Sequence, residues 1–154
     1  MMDSIPARYR YSVIPHVMVD GASAAIEFYS EGFGATELFR VSGPDGRIVH
    51  AEITIGDSIV MVGDADDPFR DPRSLGGLSV GLHVYVEDVD AQVARAVQAG
   101  ATLSAPVQDM FYGDRMGMVT DPFGHLWVLL THQEDLLPAE IKRRGEALLA
   151  GRDA

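Results

Sequence analysis

Short apolar stretches alternate along the chain with polar segments rich in glycine, proline and aspartate. Apolar runs with β-branched residues predict strands, and apolar residues three or four apart predict helices. Asp20 or Ser23 can cap the first helix, and Gly32 and Gly34 end it. The first half is therefore predicted to contain a strand, a helix and three strands, at 11–19, 22–31, 36–41, 47–55 and 58–62.

The same order of elements returns after a polar loop at 63–78. The second helix can be capped by Asp88 or Asp90 and ends at Gly100. His16-Val17-Met18-Val19 aligns with His83-Val84-Tyr85-Val86, which indicates an internal repeat. The second strand, helix and three strands are predicted at 80–86, 87–99, 102–108, 115–120 and 125–132.

The repeat predicts one α+β domain over residues 1–154, made of two βαβββ units. The first unit, module one, covers about 11–63, and a linker follows over 64–79. The second unit, module two, covers about 80–132. A last helix is predicted over 138–150, which we expect to pack across the domain or onto a partner subunit.

Composition and charge disfavour several kinds of partner and exclude several kinds of site. The formal net charge is -11, which disfavours binding to phosphate backbones, so no nucleic-acid partner is expected. The chain has no cysteine, which excludes disulfides, thiolate metal ligands and cysteine nucleophiles. It also has no apolar run long enough to span a bilayer and no secretory signal, so we expect a soluble, cytoplasmic protein without a membrane partner.

Several motifs, in order, resemble one family. The runs at 16–22, 25–29 and 32–35 resemble the opening of the vicinal-oxygen-chelate superfamily, which includes glyoxalases, bleomycin-resistance proteins and dioxygenases. Asp121-Pro-Phe-Gly-His-Leu-Trp resembles its closing hairpin, and His50-Ala-Glu-Ile and Phe111-Tyr-Gly-Asp-Arg resemble its PhnB-like branch. The resemblance implies two modules whose mixed sheets curl around a cup, usually in a homodimer that binds a small molecule.

In members with metal activity, histidine and glutamate ligands in the cup hold a divalent ion such as zinc, nickel, manganese or iron. Matching this chain to them position by position puts residues that cannot hold a divalent ion at all four ligand positions. No metal is therefore expected at the usual positions, and no other cofactor is expected. The four positions fall on Ile14, Met61, Gly81 and Val128.

His16 and His83 lie two residues beyond the first and third of these positions, on the same face of their strands. By the repeat they would face each other across the cup. One hypothesis is a shifted metal site made of His16, His83 and Glu52. The alternative is that the histidines line a pocket and are satisfied by hydrogen bonds.

His50 and Glu52 share one face of a predicted strand, where they could act as a catalytic acid and base or contact a ligand. They could equally make a polar contact on the solvent side. Arg115 lies at the predicted rim of the cup, where it could bind a carboxylate or phosphonate group. The alternative for Arg115 is an ion pair with Asp114 or Asp109.

An aromatic and thioether set is predicted near the cup: Phe111, Tyr112, Met116, Met118 and Trp127. Such side chains suit a planar or apolar ligand, although we expect most of them to be core. The predicted ligand contacts are therefore His16, His83, Phe111, Tyr112, Arg115 and Trp127.

Two function classes remain open. One is a binding protein that sequesters an apolar or aromatic metabolite or antibiotic without a metal. The other is a metal-dependent lyase, isomerase or dioxygenase that uses the shifted His16 and His83 site. Met61 and Val128 at ligand positions disfavour a glyoxalase I activity. Whether the protein is an enzyme stays open at this point.

Overall fold

The structure, a computed structural model, describes residues 4–9 and 13–152. It confirms the predicted α+β fold, with one four-stranded mixed sheet in each half of the chain. In the first sheet the strand order is β1-β4-β3-β2, and only the pairing of β1 with β4 is parallel. Its elements are β1 (His16–Val19), α1 (Ala22–Phe33), β2 (Thr36–Ser42), β3 (Ile48–Ile55) and β4 (Ser58–Asp64).

The second half repeats this topology with strand order β5-β8-β7-β6, and again only the first pair is parallel. A short helix, α2 (Pro72–Leu75), interrupts the connection predicted as a loop, and Asp71 caps it. The other elements are β5 (Gly81–Tyr85), α3 (Val89–Ala99), β6 (Thr102–Asp109), β7 (Asp114–Thr120), β8 (Leu126–His132) and α4 (Pro138–Arg152).

The first strand is shorter than the predicted 11–19. Residues 10–12 lie outside the described residues, and β1 begins only at His16. Pro15 has no N–H to donate to a strand ladder, although its carbonyl accepts a hydrogen bond from the Met61 N–H at 2.9 Å. Of the described residues before β1, Val13, Ile14 and Pro15 therefore belong to no strand.

The two long helices begin against equivalent strand ends. The Asp64 carboxylate, at the end of β4, accepts hydrogen bonds from the N–H groups of Gly21 and Ala22, each at 2.9 Å. The Thr131 hydroxyl, near the end of β8, accepts one from the Val89 N–H at 2.8 Å. The prediction that Asp20 or Ser23 caps α1 was wrong, because Gly21 caps it with φ +98° and no side-chain bond of its own.

Asp88 caps α3 as predicted, since its carboxylate accepts a hydrogen bond from the Ala91 N–H at 3.0 Å. Helices α1 and α3 pack on each other across the repeat. They meet near Gly32, where a Cβ would be in ordinary contact with that of Ala99 at 3.5 Å. The Gln92 side chain also donates to the Gly32 carbonyl at 2.6 Å. The helix pair therefore joins the two modules.

The Asp121 carboxylate is a second junction. One of its oxygens accepts hydrogen bonds from the Tyr29 hydroxyl of α1 at 2.7 Å and from the Trp127 indole at 2.9 Å. Trp127 is only 1% exposed and packs against Tyr29 and Phe33. The same turn places an imidazole nitrogen of His125 2.7 Å from the Met18 carbonyl. The closing hairpin of module two is thus hydrogen-bonded to α1 and β1 of module one.

Each sheet has an inner face, which packs on the helices, and an outer face, which points away from them. The inner faces meet α1 and α3 in one large core cluster that spans both modules. The outer face of the second sheet carries a separate, smaller cluster. Among the described residues, no helix is long and apolar enough to cross a membrane.

Candidate functional site

A cleft of about 370 Å³ lies where β5, the edge strand of the second sheet, meets module one. We call it the inter-module cleft. Polar groups at its border include Arg8, His83 and Tyr85. Its apolar lining comes from both modules and includes Ile14, Pro15, Val60, Leu82, Val84 and Trp127. The volume and the mixed lining are those of a small-molecule pocket.

Next to this cleft, a polar row crosses the outer face of the first sheet. Met61 of β4 pairs with His16 of β1 on one side and with Glu52 of β3 on the other. Glu52 pairs in turn with Phe39 of β2. Ile59, two residues before Met61 on the same face, lines the inter-module cleft. Val60, on the inner face, lines the cleft too, so the cleft lies at the start of β4 and borders both faces of the sheet. Arg8 links it to the polar row, because Arg8 borders the cleft and donates to Glu52.

Glu52 is the buried acid of this row, with 3% of its surface exposed. It accepts hydrogen bonds from the Tyr9 hydroxyl and from Arg8 Nε at 3.3 Å, and His50 Nε2 lies 3.4 Å from it. Burial acts to raise the pKa of Glu52, but the hydrogen bonds from Tyr9, His50 and Arg8 outweigh it, so the pKa is lowered. Glu52 is therefore an ionised acceptor near neutral pH.

His16 lies beside His50, with ring centroids 5.6 Å apart and the rings edge to face. Its other aromatic neighbour is Phe69, at 5.7 Å. Burial, and then repulsion from His50, lowers the pKa of His16, which is neutral at pH 7 as a result. His83 has different surroundings, because it lies on β5 at the inter-module cleft.

The outer face of the second sheet is apolar where the first is polar. Met116, Val128 and Leu130 are buried there, and Met110, Tyr112 and Met118 pack against them. Phe111 stands edge to face on Tyr112, with centroids 5.2 Å apart, and a Cβ at Gly145 of α4 would lie 2.9 Å from its ring. Phe111 and Tyr112 thus pack beneath the C-terminal helix and do not line the inter-module cleft.

Asp114, which is 4% exposed, sits at the end of the second outer face. It accepts a hydrogen bond from the Tyr85 hydroxyl at 2.7 Å, and His132 Nδ1 lies 2.7 Å from its other oxygen. His132 Nε2 lies 2.7 Å from Asp135. Hydrogen bonding to Asp135 and then to Asp114 raises the pKa of His132. This network ties β5, β7 and the segment after β8 together.

The Arg115 guanidinium belongs to a surface ion-pair network. It pairs with Asp109, as one of the two sequence alternatives predicted, at 3.1 Å. It also pairs with Asp90 of α3 at 2.8 Å, a partner that sequence reasoning missed. The ligand contact at Arg115 stays a prediction.

The donors of the shifted-site hypothesis are not grouped in this structure. Within residues 4–9 and 13–152, no three histidine, aspartate or glutamate side chains group as metal ligands would. His16, His83 and Glu52 are consequently not assembled into a site, because Glu52 is held by Arg8 and Tyr9 while His83 lies at the cleft. The positions that the resemblance assigns to metal ligands carry Ile14, Met61, Gly81 and Val128, which do not fit a divalent ion.

Of the predicted contacts, the inter-module cleft brings together His83 and Trp127, and the polar row beside it holds His16, His50 and Glu52. Trp127 borders the cleft but is only 1% exposed, so its indole is mainly core. Sequence reasoning missed Arg8 and Tyr9. They precede the first recognisable motif, and only folding brings them to Glu52, which is more than 40 residues away in sequence.

The profile of the Glyoxalase/Bleomycin resistance protein/Dioxygenase superfamily matches residues 13–129. An uncharacterized protein of Mycobacterium tuberculosis is 44% identical over 133 residues, which cover 82% of this chain and 78% of the relative. Another uncharacterized protein, from Arabidopsis thaliana, is 30% identical over 112 residues, covering 68% of each chain.

Solved structures agree in fold. The crystal structure of TioX from Micromonospora sp. ML1 matches with a TM-score of 0.65 and 31% identity, covering 78% of this chain and 97% of that chain. A PhnB protein from Bacillus cereus matches with a TM-score of 0.60 and 16% identity, covering 78% of this chain and 98% of that chain. The second likeness shows the fold alone.

Proposed function

Since this chain belongs to the Glyoxalase/Bleomycin resistance protein/Dioxygenase superfamily, we propose that it binds an apolar or aromatic small molecule, such as a metabolite or an antibiotic, in the inter-module cleft. The observation that carries the proposal is the cleft itself, with about 370 Å³ of space between two modules. Ligand pockets usually occupy about 300–1,000 Å³ and are lined mainly by apolar side chains with a few polar groups.

The lining offers apolar contacts to a ligand. Leu82 and Val84 of module two and Ile14 and Pro15 of module one line the cleft, and Trp127 borders it. Such contacts provide affinity through buried area, while polar groups at the border fix orientation. Sequestration requires only such a lining, whereas the metal-dependent alternative requires donors that are not grouped among residues 4–9 and 13–152.

The test is a titration with Nile red, a neutral aromatic dye whose fluorescence rises in apolar surroundings. Ser58 lines the cleft and is exposed, so Ser58→Trp fills space without disturbing the core. We expect saturable binding by the wild type and roughly tenfold weaker binding by Ser58→Trp, which corresponds to a loss of about 1.4 kcal/mol in binding free energy.

Ser104→Trp is the matched control, since Ser104 is an exposed strand serine outside the cleft. It should bind Nile red as the wild type does. Absence of saturable binding by the wild type, or equal weakening by both variants, would contradict the proposal. Circular dichroism and thermal unfolding check that both variants are folded.

The homodimer implied by the family resemblance stays a prediction. It is supported by apolar side chains that the first outer face leaves open, with Phe39 and Val41 exposed by 41% and 50%. Multi-angle light scattering on the purified protein measures it, and a monomeric mass at micromolar concentration would contradict it.

A further inference from the structure

Glu52 is a buried carboxylate in an unusual place, the outer face of a sheet next to the inter-module cleft. Its ladder neighbours on that face are Met61 and Phe39, a thioether and an aromatic ring. A carboxylate with 3% of its surface exposed needs hydrogen-bond donors, because burial removes its water. The donors that contact Glu52 therefore indicate which chemical groups its carboxylate can bind, and a loosely held donor can be exchanged for a ligand.

Two of these donors come from a lightly held segment. Tyr9 and Arg8 belong to a single 3-10 turn, Ala7–Tyr9, which has no buried residue. The Arg8 side chain is 49% exposed although its Nε donates to Glu52 at 3.3 Å. Within the described turn, these two side chains make the contacts with Glu52 and no residue is buried, so moving the Tyr9 side chain away costs little packing.

The group presented to Glu52 is a phenol. The Tyr9 hydroxyl donates to one carboxylate oxygen, and the Arg8 guanidinium covers the Tyr9 ring, with its carbon 4.3 Å from the ring centroid. This arrangement recognises the two parts of a phenol, because the acid accepts the hydroxyl proton and the cation stacks on the π-face.

The protonation states agree with this geometry. The hydrogen bond to Glu52 raises the pKa of Tyr9, which keeps the phenol protonated as a donor. The pKa of Glu52 is lowered in spite of its burial, because the hydrogen bonds that it accepts outweigh desolvation, and this keeps the carboxylate ionised as an acceptor. A phenol and a carboxylate therefore meet here in matched states at neutral pH.

We propose that Glu52 anchors the phenolic hydroxyl of an aromatic ligand and that Tyr9 occupies this position in the free protein. The inference rests on the proposed function and names its ligand class, hydroxylated aromatic compounds. Arg8 borders the cleft and also contacts Glu52, so a ligand with its hydroxyl on Glu52 extends its apolar body along Ile59 into the cleft. Tyr9 leaves when the ligand arrives.

The test compares β-naphthol with its methyl ether, which has the same rings and no donor, by isothermal titration calorimetry at neutral pH. We expect the wild type to bind β-naphthol roughly tenfold more tightly than the ether, as a charge-assisted hydrogen bond provides. Glu52→Gln should reduce this preference to about twofold or less, since a neutral amide oxygen is a weaker acceptor.

Tyr9→Phe is the second, independent variant. It removes the competing hydroxyl and leaves Glu52 in place. β-Naphthol should therefore bind to Tyr9→Phe several-fold more tightly than to the wild type, because displacing Phe from Glu52 costs less than displacing Tyr9. Glu37→Gln is the matched control for charge, since Glu37 pairs with Arg40 on the surface. It should leave both affinities unchanged.

The outcomes separate the inference from the proposed function. If both naphthalenes bind with equal affinity to the wild type and to Glu52→Gln, the inference is overturned while small-molecule binding stands. If Tyr9→Phe weakens β-naphthol binding, Tyr9 is part of the site and does not compete for it, which also overturns the inference. If neither naphthalene nor Nile red binds the wild type, both proposals fall.

Discussion

The outer faces of the two sheets share a backbone arrangement and differ in chemistry. In the first sheet the ladder runs His16–Met61–Glu52, and in the second it runs His83–Val128–Met118. The histidine is present in both rows. The third position is a buried carboxylate in one row and a thioether in the other.

This difference explains why the repeat does not make a symmetric site. A symmetric metal centre would need donors in both rows, but the second row offers only His83 beside Val128 and Met118. In the polar row, Glu52 has Arg8 and Tyr9 as hydrogen-bond partners. In the second sheet, Val128 belongs to a buried cluster against which Met110 and Tyr112 pack. The two modules thus share a backbone arrangement, but the outer faces of their sheets are no longer chemically equivalent.

The largest expected effect comes from placing a charge in the apolar row. Val128 is 4% exposed and lies in the Met116 and Leu130 cluster, so Val128→Asp buries a carboxylate among apolar side chains, with the exposed His83 as its polar ladder neighbour. We expect the free energy of unfolding to fall by about 3–5 kcal/mol, because desolvation of a carboxylate costs several kcal/mol and an exposed imidazole offsets little of it. Urea denaturation followed by circular dichroism measures the change.

Val97→Asp makes the same substitution on the exposed side of α3 and should cost less than about 1 kcal/mol. The reciprocal change in the polar row, Glu52→Met, should cost only about 1–2 kcal/mol, because Arg8 and Tyr9 can turn to water. Equal losses for Val128→Asp and Glu52→Met would mean that the two rows do not differ as described.

A smaller effect is expected from the two histidines whose pKa values shift in opposite directions. The raised pKa of His132 means that the folded protein holds this proton more tightly than the unfolded chain, so its stabilisation is present below pH 6.5 and is lost as pH rises through the folded pKa. The lowered pKa of His16 has the opposite sign, because stability is lost as pH falls from 6.5 through the folded pKa.

Urea midpoints of the wild type, His132→Gln and His16→Gln between about pH 5 and pH 8 test this opposition. His132→Gln should lose more stability, relative to the wild type, at the acidic end of the range. His16→Gln should gain relative stability at that end, since it removes a group that resists protonation. Parallel pH profiles for all three proteins would disprove the assignment.

The smallest effect is expected at Arg115. Its partners Asp90 and Asp109 are more than half exposed, so Arg115→Ala should lower the free energy of unfolding by less than about 1 kcal/mol, and less still at high salt. The Nile red affinity should not change, because Arg115 does not line the cleft. A tenfold loss of dye affinity would restore Arg115 as a ligand contact.

Sequence patterns predicted the parts of this molecule that depend on neighbouring residues. Strand alternation, the Asp88 cap and the glycine stop at Gly100 are local, and the structure confirms each of them. The repeat also predicted that His16 and His83 occupy equivalent strand positions, which the ladders bear out.

Contacts between distant segments were not predictable in the same way. The Asp64 carboxylate accepts a hydrogen bond from the first N–H of α1 from 42 residues away, and Tyr9 donates to Glu52 across 43 residues. Several acids of the same type stand nearer to each of these donors, so spacing cannot select the right one. For the same reason, the sequence put His50 and Glu52 on one face of their strand but did not predict the burial of Glu52 or its partners Arg8 and Tyr9.

The Asp121 carboxylate has a consequence for how such a protein can arise from a single repeat. Its acceptor oxygen serves Tyr29, 92 residues earlier in the chain, and Trp127 in its own hairpin. A polypeptide consisting of the first repeat alone would present the Tyr29 hydroxyl and an open helix flank with no such acceptor. It would reach the same closure only by associating with a second polypeptide that brings the turn. Fusion of two repeats turns that encounter, which depends on concentration, into a permanent property of one chain.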